Sequence, residues 1–542
     1  MATDTESSYA GGFGQVSRTA GTIFRYLLLA ATMFGIVTLA VLLVYVANDA
    51  IRPLTADLGW HLTFFVTLVL PTILVGGYLY RRNTAALKLG GLIVGMLAVS
   101  LLFSGGMAIT FIDIIPPLTG LSYAIGLAIP AALTVVLTKY ENKISFTPRV
   151  AVTGAAFFLS LFGVPGYLHS VPELVQKAPV VPTEWVILTL VLGGVVALAV
   201  SRYVARIRED TTAGLLAGVA ALGLTGLAAL VGPFLGIDAN ALVVVTTVAF
   251  VPTATYAGGA ALTREQERIG LLFAATVIVG SLVGAAAVDI LGFAGPQSWV
   301  NWHFLTSPHS GSAENAGLYP AIGGSILLMA TVAALSFPIG VGAAVYLEEY
   351  APDNTFTRFI DVNISNLAGV PSVVYGLLGL GVFVTYLGQS TGTVLIGGAT
   401  LALLILPIVI ISSREAIRAV PGDLRQASYG MGATRWQTVK NVVIPEAFPG
   451  ILTGTILALG RAIGETAPLI MIGAPSVVFS LPTELSSKVS AMPLQVYAWS
   501  SLFASEDFYT KAVPAGVVVL LVVLLAMNSI AIVLRNKFES ES

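Results

Sequence analysis

Residues 394–446 contain the two features that decide the fold of this chain. The run 394–412 reads VLIGGATLALLILPIVIIS and has no charged residue. A membrane-spanning helix needs about 20 consecutive apolar residues, so this run predicts one. The stretch 413–446 then reads SREAIRAVPGDLRQASYGMGATRWQTVKNVVIPE, which is long, polar and interrupted by Pro and Gly. Another apolar run follows it directly, so we expect an inner loop (413–446) held between two membrane helices.

The composition of the whole chain agrees with a membrane protein. Of its 542 residues, 56% are hydrophobic and only 10% are charged, whereas soluble domains are about 25% charged. So few charges cannot cover a soluble fold, and we expect membrane lipid around it. The net charge of -2 provides no basic field for nucleic acid. The absence of cysteine excludes a disulfide framework and cysteine-based metal sites.

Apolar runs predict an all-α, polytopic membrane protein with about 14 transmembrane helices. The first run is too long for the apolar region of a cleaved signal peptide, so we expect an uncleaved helix. The predicted spans are 23–46, 62–80, 89–112, 119–138, 150–168, 185–203, 212–231, 240–260, 270–293, 321–347, 366–388, 394–412, 447–472 and 513–534.

The basic residues predict an orientation for these spans. With the N-terminus placed in the cytoplasm, most of the 26 Lys and Arg residues fall in inner loops, as the positive-inside rule requires. The exceptions are Arg52, Lys177, Lys488 and Lys511 on the outer side and Arg461 within a span. We therefore expect a multi-pass protein of the cell membrane with both termini cytoplasmic. The histidines all fall outside, and their spacing matches no metal motif.

Three parts are predicted along the chain. Residues 1–22 form a polar, cytoplasmic N-terminal segment. Residues 23–262 form an N-terminal membrane block of about eight helices, to which the sequence assigns no role. Residues 263–542 carry longer and more polar connections, including the inner loop, and the charged stretch LTREQERIG (262–270) marks the boundary between the two membrane parts.

Within the inner loop, local signals predict two short helices joined by a glycine. The first is expected at 424–431, and Gly432 can adopt a positive φ that ends it. Thr434 and Gln437 have the spacing of a capping box, which opens the second short helix. Pro445 is expected where that second helix gives way to the next span.

The inner loop resembles the EAA loop of ABC importer permeases, whose pattern is E-A-A, three residues, Gly, nine residues, Ile, one residue and Leu-Pro. In that family the loop is the coupling helix that docks into a cleft of the ATPase subunit. The resemblance implies an ATPase-coupling role for Gln426, Ala427, Ser428, Gly432, Val442, Ile444 and Pro445. Gln replaces the Glu and Ser the second Ala, while the Gly and Pro are kept. The alternative is an ordinary amphipathic inner loop.

Neighbouring motifs narrow the resemblance to the phosphate permeases of the PstA type, over roughly residues 270–535. They are LAGVPSVVYGLLGLGVFV (367–384), GRAIGETAP (460–468), FPIGVGAAVYLEEYAP (337–352) and WHFLTSP (302–308). This resemblance implies a type I ABC importer permease core of about six helices, forming half of a translocation pathway. It also implies a second permease subunit, ATP-binding subunits and an external phosphate-binding protein as partners.

No catalytic site, metal site or cofactor is predicted in this chain. A P-loop needs Gly-Lys before Ser or Thr, and none of the lysines follows a glycine. ATP and Mg²⁺ are therefore expected on the partner ATPase. We expect a transporter subunit that is not itself an enzyme.

Arg461 and Glu465 are the predicted substrate-pathway residues. Arg461 lies near the middle of the predicted span 447–472, where a charge costs about 3 kcal/mol on insertion scales. We therefore expect it to face the bundle interior. Glu465 follows four residues later and can pair with it. The planar fork of Arg suits phosphate oxygens, and the alternative is a purely structural ion pair.

Prolines and small residues predict where helices bend and pack closely. Pro371 and Pro407 fall within predicted spans and are possible hinges, although ordinary bending is an equal alternative. Gly450, Gly454 and Ala458 form a small-xxx-small ridge that allows close helix packing.

The outer segments 294–320 and 473–512 are the longest external connections. They contain Trp299, Trp302, Tyr497, Trp499 and acidic residues. We weigh two roles equally: a face for the binding protein, or interfacial helices that cap the pore mouth.

Other functions stay open on the sequence alone. A permease for another oxyanion would share these features. A self-contained secondary transporter predicts ionisable residues within spans of both halves, but they occur mainly at Arg461, Glu465 and Asp289. An intramembrane enzyme or sensor built on the N-terminal block has no catalytic motif to support it.

Overall fold

The computed structural model describes residues 18–139, 145–164, 166–178, 183–503 and 505–539. Most of the residues in these ranges are helical, and strand-like pairing among them is limited to two isolated bridges. The predicted all-α class is therefore confirmed. Residues 1–17 of the predicted N-terminal segment lie outside the described ranges.

The main helices follow one another through short connections. They are α1 (Arg18–Ile51), α2 (Leu58–Arg82), α3 (Thr84–Ile114), α4 (Pro117–Lys139), α5 (Phe146–Phe162), α6 (Glu184–Arg208), α7 (Thr211–Val231), α8 (Ala239–Thr263), α9 (Leu271–Leu291), α10 (Tyr319–Tyr350), α11 (Thr355–Ala368), α12 (Ser372–Tyr386), α13 (Val394–Arg418), α14 (Gly422–Gly430), α15 (Arg435–Ala462) and α16 (Val513–Glu539). Short helices at Trp302–Thr306, Ala467–Met471 and Met492–Ser501 lie in the connections around them.

A helix occupies each of the predicted spans. Among the described residues, 12 helices are long and apolar enough to cross a membrane, or 13 if the bent pair α11–α12 is one span. The remaining predicted span, 150–168, is the shorter helix α5. It ends at Phe162 because Gly163 adopts a φ of +64°, and a Cβ there would lie 2.3 Å from the carbonyl oxygen of Leu168.

The predicted span 366–388 is two helices joined at a sharp corner. α11 and α12 meet at an angle of 106°. Pro371 lies at the corner, with extended backbone angles of φ -56° and ψ 140°. The residue before a proline avoids the helical region, so α11 ends before it and α12 starts after it. Pro407, by contrast, lies inside the continuous helix α13. Their roles as hinges stay predictions.

The predicted span 447–472 also differs from the structure. Helix α15 starts earlier, at Arg435, and ends at Ala462. A turn through Gly464 then leads to the short helix Ala467–Met471. Gly464 weakens the helix, and Pro468 has no N–H to continue the hydrogen-bond ladder.

The largest apolar core lies between α10, α13 and α15. Leu328, Leu401 and Ile405 are among its fully buried side chains. The predicted small-residue ridge packs α15 onto α13, since a Cβ at Gly454 would lie 2.4 Å from the side chain of Ser412. This close packing confirms the ridge as an interhelical seam.

Helix α9 packs against the N-terminal helices. A Cβ at Gly280 would lie 2.4 Å from the carbonyl oxygen of Thr67 in α2. A Cβ at Gly270, just before α9, would lie 2.0 Å from the carbonyl oxygen of Ala86 in α3. Glycine is thus required for this approach. The division near residue 263 stays a prediction, and α9 extends the apolar packing of the N-terminal block beyond it.

Polar contacts also fasten the N-terminal helices to the C-terminal half. Before α2, the Asp57 carboxylate accepts a hydrogen bond from the Ala294 amide at 2.7 Å, and the Gln297 amide donates to Thr55 at 2.9 Å. The Tyr319 hydroxyl, at the start of α10, donates to Asp113 at 2.6 Å. These contacts tie both halves together at the predicted outer side.

Candidate functional site

The inner loop folds as the predicted pair of helical arms around a glycine. The first arm is α14, and Gly432 follows it with a φ of +84°. The capping box is confirmed: the Thr434 amide donates to Gln437 Oε1 at 2.8 Å, and the Gln437 amide donates to Thr434 Oγ1 at 3.3 Å. The turn residue and the start of the second arm therefore follow from the local sequence.

The second arm is not a separate short helix as expected. It is the first part of α15, and it continues through a π-helical stretch, Val439–Val443, into the rest of that helix. Pro445 is in the first turn after that stretch. Proline offers no N–H to the preceding turn, and the wider π turn absorbs the missing bond. The arm and the membrane span thus form one helix.

A buried hydrogen bond joins the two arms. Ser428 Oγ and Thr438 Oγ1 are 2.8 Å apart, and both side chains are buried. Ser428 is the residue that replaces the second Ala of the EAA pattern, so the substitution has a structural use. Of the other coupling candidates, Gln426, Ala427, Gly432 and Pro445 are exposed, and Val442 and Ile444 are half-buried. Their coupling role stays a prediction.

Large apolar side chains are exposed on the arms. Met431 is 83% exposed and Trp436 is 58% exposed. Leu424 and Tyr429 are each slightly less than half exposed. We call these four residues the loop's apolar face. Such side chains on a polar loop mark an interaction surface.

Behind the apolar face, Arg425 anchors α14 to two membrane helices. Its Nε and Nη2 donate to Glu349 Oε1 at 3.2 and 3.1 Å. Its Nη1 donates to the Val420 carbonyl at 2.6 Å, and Nη2 donates to that of Ile417 at 2.8 Å. The guanidinium therefore caps the C-terminal end of α13, where a positive charge is favourable.

A second set of ion pairs lies beside it. Arg418 binds both oxygens of Glu348 at 3.1 Å. Arg414 lies 3.4 Å from Glu348 and 2.5 Å from Asp361 of α11. Sequence reasoning quoted the LEEY motif without assigning its carboxylates. The signal was available, because two adjacent acidic residues end an apolar span opposite a loop rich in Arg.

Arg461 and Glu465 form the expected ion pair at 3.6 Å, from Nε to Oε1. They do not share one helix face, because Arg461 is in the last turn of α15 and Glu465 follows in the turn beyond it. The Arg461 side chain is 50% exposed and that of Glu465 is 20% exposed. The expectation that Arg461 faces this chain's bundle interior is therefore wrong: it lies on the chain's surface.

A second polar group lies close to Gly460, the residue before Arg461. A Cβ at Gly460 would lie 3.5 Å from Oδ1 of Asn528, which is in the apolar helix α16. Within the part of the chain that the structure describes, the Asn528 amide has no hydrogen-bond partner. Hydropathy averages hid this residue, because one amide barely alters an apolar window.

The outer segments form an aromatic cap at the predicted pore mouth. Trp499 is fully buried and its Nε1 donates to Nδ1 of His309 at 3.0 Å. His309 is itself buried among Phe479, Phe503 and Phe508, and this burial lowers its pKa. Trp499 cannot contact a binding protein, while Trp302 and Tyr497 stay exposed. Among the described residues, no three His, Asp or Glu side chains cluster as metal ligands would.

The 12 or 13 helices that are long and apolar enough to cross a membrane, with the inner loop between two of them, define a multi-pass membrane protein of the all-α class. The model of the family described as "Binding-protein-dependent transport system inner membrane component" matches residues 336–540. That match starts within α10, so α1–α9 lie outside it.

Similar proteins are ABC transporter permeases. The "Probable ABC transporter permease protein YqgI" of Bacillus subtilis is 36% identical over 224 residues, 41% of this chain and 74% of that protein. The "Phosphate transport system permease protein PstA" of Yersinia pestis is 32% identical over 51% of this chain and 91% of its own length. PstA 1 of Mycobacterium tuberculosis is 32% identical over 40% of this chain and 70% of its own length. The chain belongs to this family of ABC transporter permeases.

Proposed function

We propose that this chain is a permease subunit of an ATP-driven phosphate import complex and forms half of its translocation pathway. The observation that carries the proposal is Arg461, a charged side chain in the last turn of the apolar helix α15 that is half exposed on the surface of the chain. Exposure to lipid would be costly. A pathway shared with a second permease subunit would instead place the guanidinium in a polar channel.

Phosphate as the substrate is supported by the PstA relatives and by the chemistry of the site. A guanidinium binds phosphate oxygens through two parallel hydrogen bonds. Glu465 beside it keeps the net charge of the pair near zero, which favours binding that is easily reversed, as transport requires. The Asn528 amide nearby can donate a further hydrogen bond.

ATP would be bound and hydrolysed by partner subunits, with Mg²⁺, that dock on the loop's apolar face. Met431 and Trp436 would fill a cleft of the ATPase. The arginines behind them, Arg414, Arg418 and Arg425, would hold the loop in position. An external phosphate-binding protein would deliver substrate to the opposite side, near the aromatic cap. Membrane lipid surrounds the rest.

Both termini are proposed to be cytoplasmic. Contacts between loops support this alternation: the Asn83 side chain donates to the Gln266 carbonyl at 2.7 Å, and both residues are on the predicted inner side. The Asp57–Ala294 contact joins two predicted outer segments. No span therefore needs to be inverted to make these bonds.

The test is phosphate uptake by the full complex with Arg461→Gln. Loss of a charge-assisted contact, about 1.5–3 kcal/mol, corresponds to at least about a tenfold lower uptake. Co-purification with the ATPase subunits should be unchanged. Arg268→Gln is the matched control, because Arg268 also has a local carboxylate partner, Glu265 at 4.0 Å, but lies in a loop.

Three results would contradict the proposal. Normal phosphate uptake by Arg461→Gln would remove the pathway role. Uptake of sulfate or molybdate in place of phosphate by the wild-type complex would indicate another oxyanion. Uptake that follows an ion gradient without any ATPase partner would indicate a secondary transporter.

A further inference from the structure

The last turn of α10 is the point where the inner loop meets the membrane helices. Tyr346–Tyr350 forms a π turn rather than an α turn. Within it, Glu348 pairs with α13 and Glu349 pairs with α14. Two adjacent carboxylates therefore hold two different elements.

Glu349 and Arg425 form the more buried of these pairs. Glu349 is 5% exposed, and the Arg425 side chain is 20% exposed. All three guanidinium nitrogens of Arg425 donate hydrogen bonds, to Glu349 and to two carbonyls at the end of α13. A buried ion pair is weak evidence for stability, because desolvation offsets its attraction. Its fixed geometry is what it contributes here.

The second arm of the inner loop is held by the same turn. The Arg435 guanidinium lies over the ring of Tyr350, 5.2 Å from its centroid. Ser428 and Thr438 bind each other between the arms. Both arms are thus attached to one five-residue turn of α10.

The network extends to the corner between α11 and α12. Arg414 contacts both Glu348 and Asp361, and Asp361 is in the middle of α11. The 106° corner follows α11 directly. A displacement of α10 at Glu348 therefore reaches the α11–α12 corner through a single guanidinium.

We propose that Glu348 and Glu349 are the positioning residues that pass movement of the inner loop to α10 and to the α11–α12 corner. This inference rests on the proposed function, in which the loop docks on an ATPase. The loop's apolar face provides the contact, and the two carboxylates link that contact to the helices of the pathway.

The experiment measures the ratio of phosphate transported to ATP hydrolysed by the full complex in proteoliposomes. Glu349→Gln keeps the side-chain shape but removes the charge. We expect assembly and ATP hydrolysis to persist while the transport ratio falls by about two- to thirtyfold, which is the coupling energy of about 0.5–2 kcal/mol that such residues typically carry. Glu267→Gln, which breaks the 3.2 Å Arg264–Glu267 pair of another inner loop, is the matched control.

A double-mutant cycle separates this role from general damage. Arg425→Gln also removes the hydrogen bonds to the Val420 and Ile417 carbonyls, so it should lower the ratio at least as much as Glu349→Gln. The double variant should be no worse than Arg425→Gln alone, because the link to Glu349 is already lost in that variant. Glu348→Gln serves if Glu349→Gln fails to assemble. It weakens the links to Arg414 and Arg418 but keeps the buried Glu349–Arg425 pair, and the transport ratio should still fall.

An unchanged ratio in Glu349→Gln, or in Glu348→Gln where that variant replaces it, would overturn the inference. Equal losses of hydrolysis and transport in an assembled complex would also overturn it, because the ratio would then be constant. Failure of the proposed function is distinguishable: the wild-type complex would then lack ATP-dependent phosphate transport before any variant is compared.

Discussion

His309 shows how one side chain sets the behaviour of the outer cap. Its Nδ1 accepts a hydrogen bond from Trp499, and aromatic rings surround it. Protonation at Nδ1 would break this bond and place a charge among apolar groups. Burial accordingly holds the pKa of His309 below its ordinary value, which is about 6.5.

The stability of the cap should therefore depend on pH. The lowered pKa means that the unfolded chain binds a proton more readily than the folded one, so stability rises with pH. The contribution of His309 is complete above about pH 6.5 and is lost as the pH falls below that value. Thermal unfolding followed by Trp fluorescence should show a lower midpoint at pH 5.5 than at pH 7.5.

His309→Gln is the control for this dependence. Glutamine can still accept from Trp499 but does not titrate, so the variant should lose part of the pH effect. Identical pH profiles for the variant and the wild type would assign the effect to carboxylates elsewhere.

At the residue scale, the sequence predicted a structural feature correctly where that feature depends on residues nearby in the chain. Gly432 and the Thr434–Gln437 capping box depend on neighbours within a few positions, and they form as predicted. His309 and Glu349 acquire their surroundings from residues far along the chain. No spacing rule brings His309 to Trp499, so the sequence offered only an unexplained outer histidine.

Among the elements, α9 depends on glycines for its position. A Cβ at Gly280 would meet a carbonyl oxygen of α2 at 2.4 Å, and backbone cannot move aside as a flexible side chain can. Overpacking of this kind costs about 1–3 kcal/mol. Gly280→Ala should lower the thermal midpoint of the detergent-solubilised protein, measured by fluorescence-detected size-exclusion chromatography after heating.

Gly77→Ala in α2 is the matched control, because nothing lies within 4 Å of a Cβ there. Alanine favours a helix more than glycine does by about 1 kcal/mol, so this variant should be as stable as the wild type or more stable. Equal midpoints for Gly280→Ala and Gly77→Ala would contradict the close packing of α9 on α2.

Hydropathy predicted the positions of the helices but not their ends or angles. Apolar runs located every span, because the need for about 20 apolar residues is a property of the membrane alone. Helix α11 mixes charged and apolar residues, so its hydropathy resembles that of a loop. Hydropathy therefore did not predict the α11–α12 corner. The end of α15 at Ala462 was missed because the apolar run continues through the break.

At the scale of the whole molecule, the family model covers a core to which α1–α9 are added. Most of the contact between the two parts is apolar, and lipid can replace apolar contacts in a membrane at little cost. Among the described residues, the polar contacts that lipid cannot replace include those of Asp57 and Thr55 with the segment before α10, Ala50 with Trp299, Asn83 with Gln266, and Asp113 with Tyr319.

A chain of residues 264–542 should therefore insert, bind the ATPase subunits and transport, but with lower thermal stability. Each lost hydrogen bond contributes about 0.5–1.5 kcal/mol, and the glycine seam of α9 would face lipid. Co-expression of residues 1–263 should restore the thermal midpoint, because both fragments keep their own spans and the seam can re-form. Loss of assembly that co-expression cannot restore would make α1–α8 part of the permease itself, while full stability without them would leave them a separate, laterally attached unit.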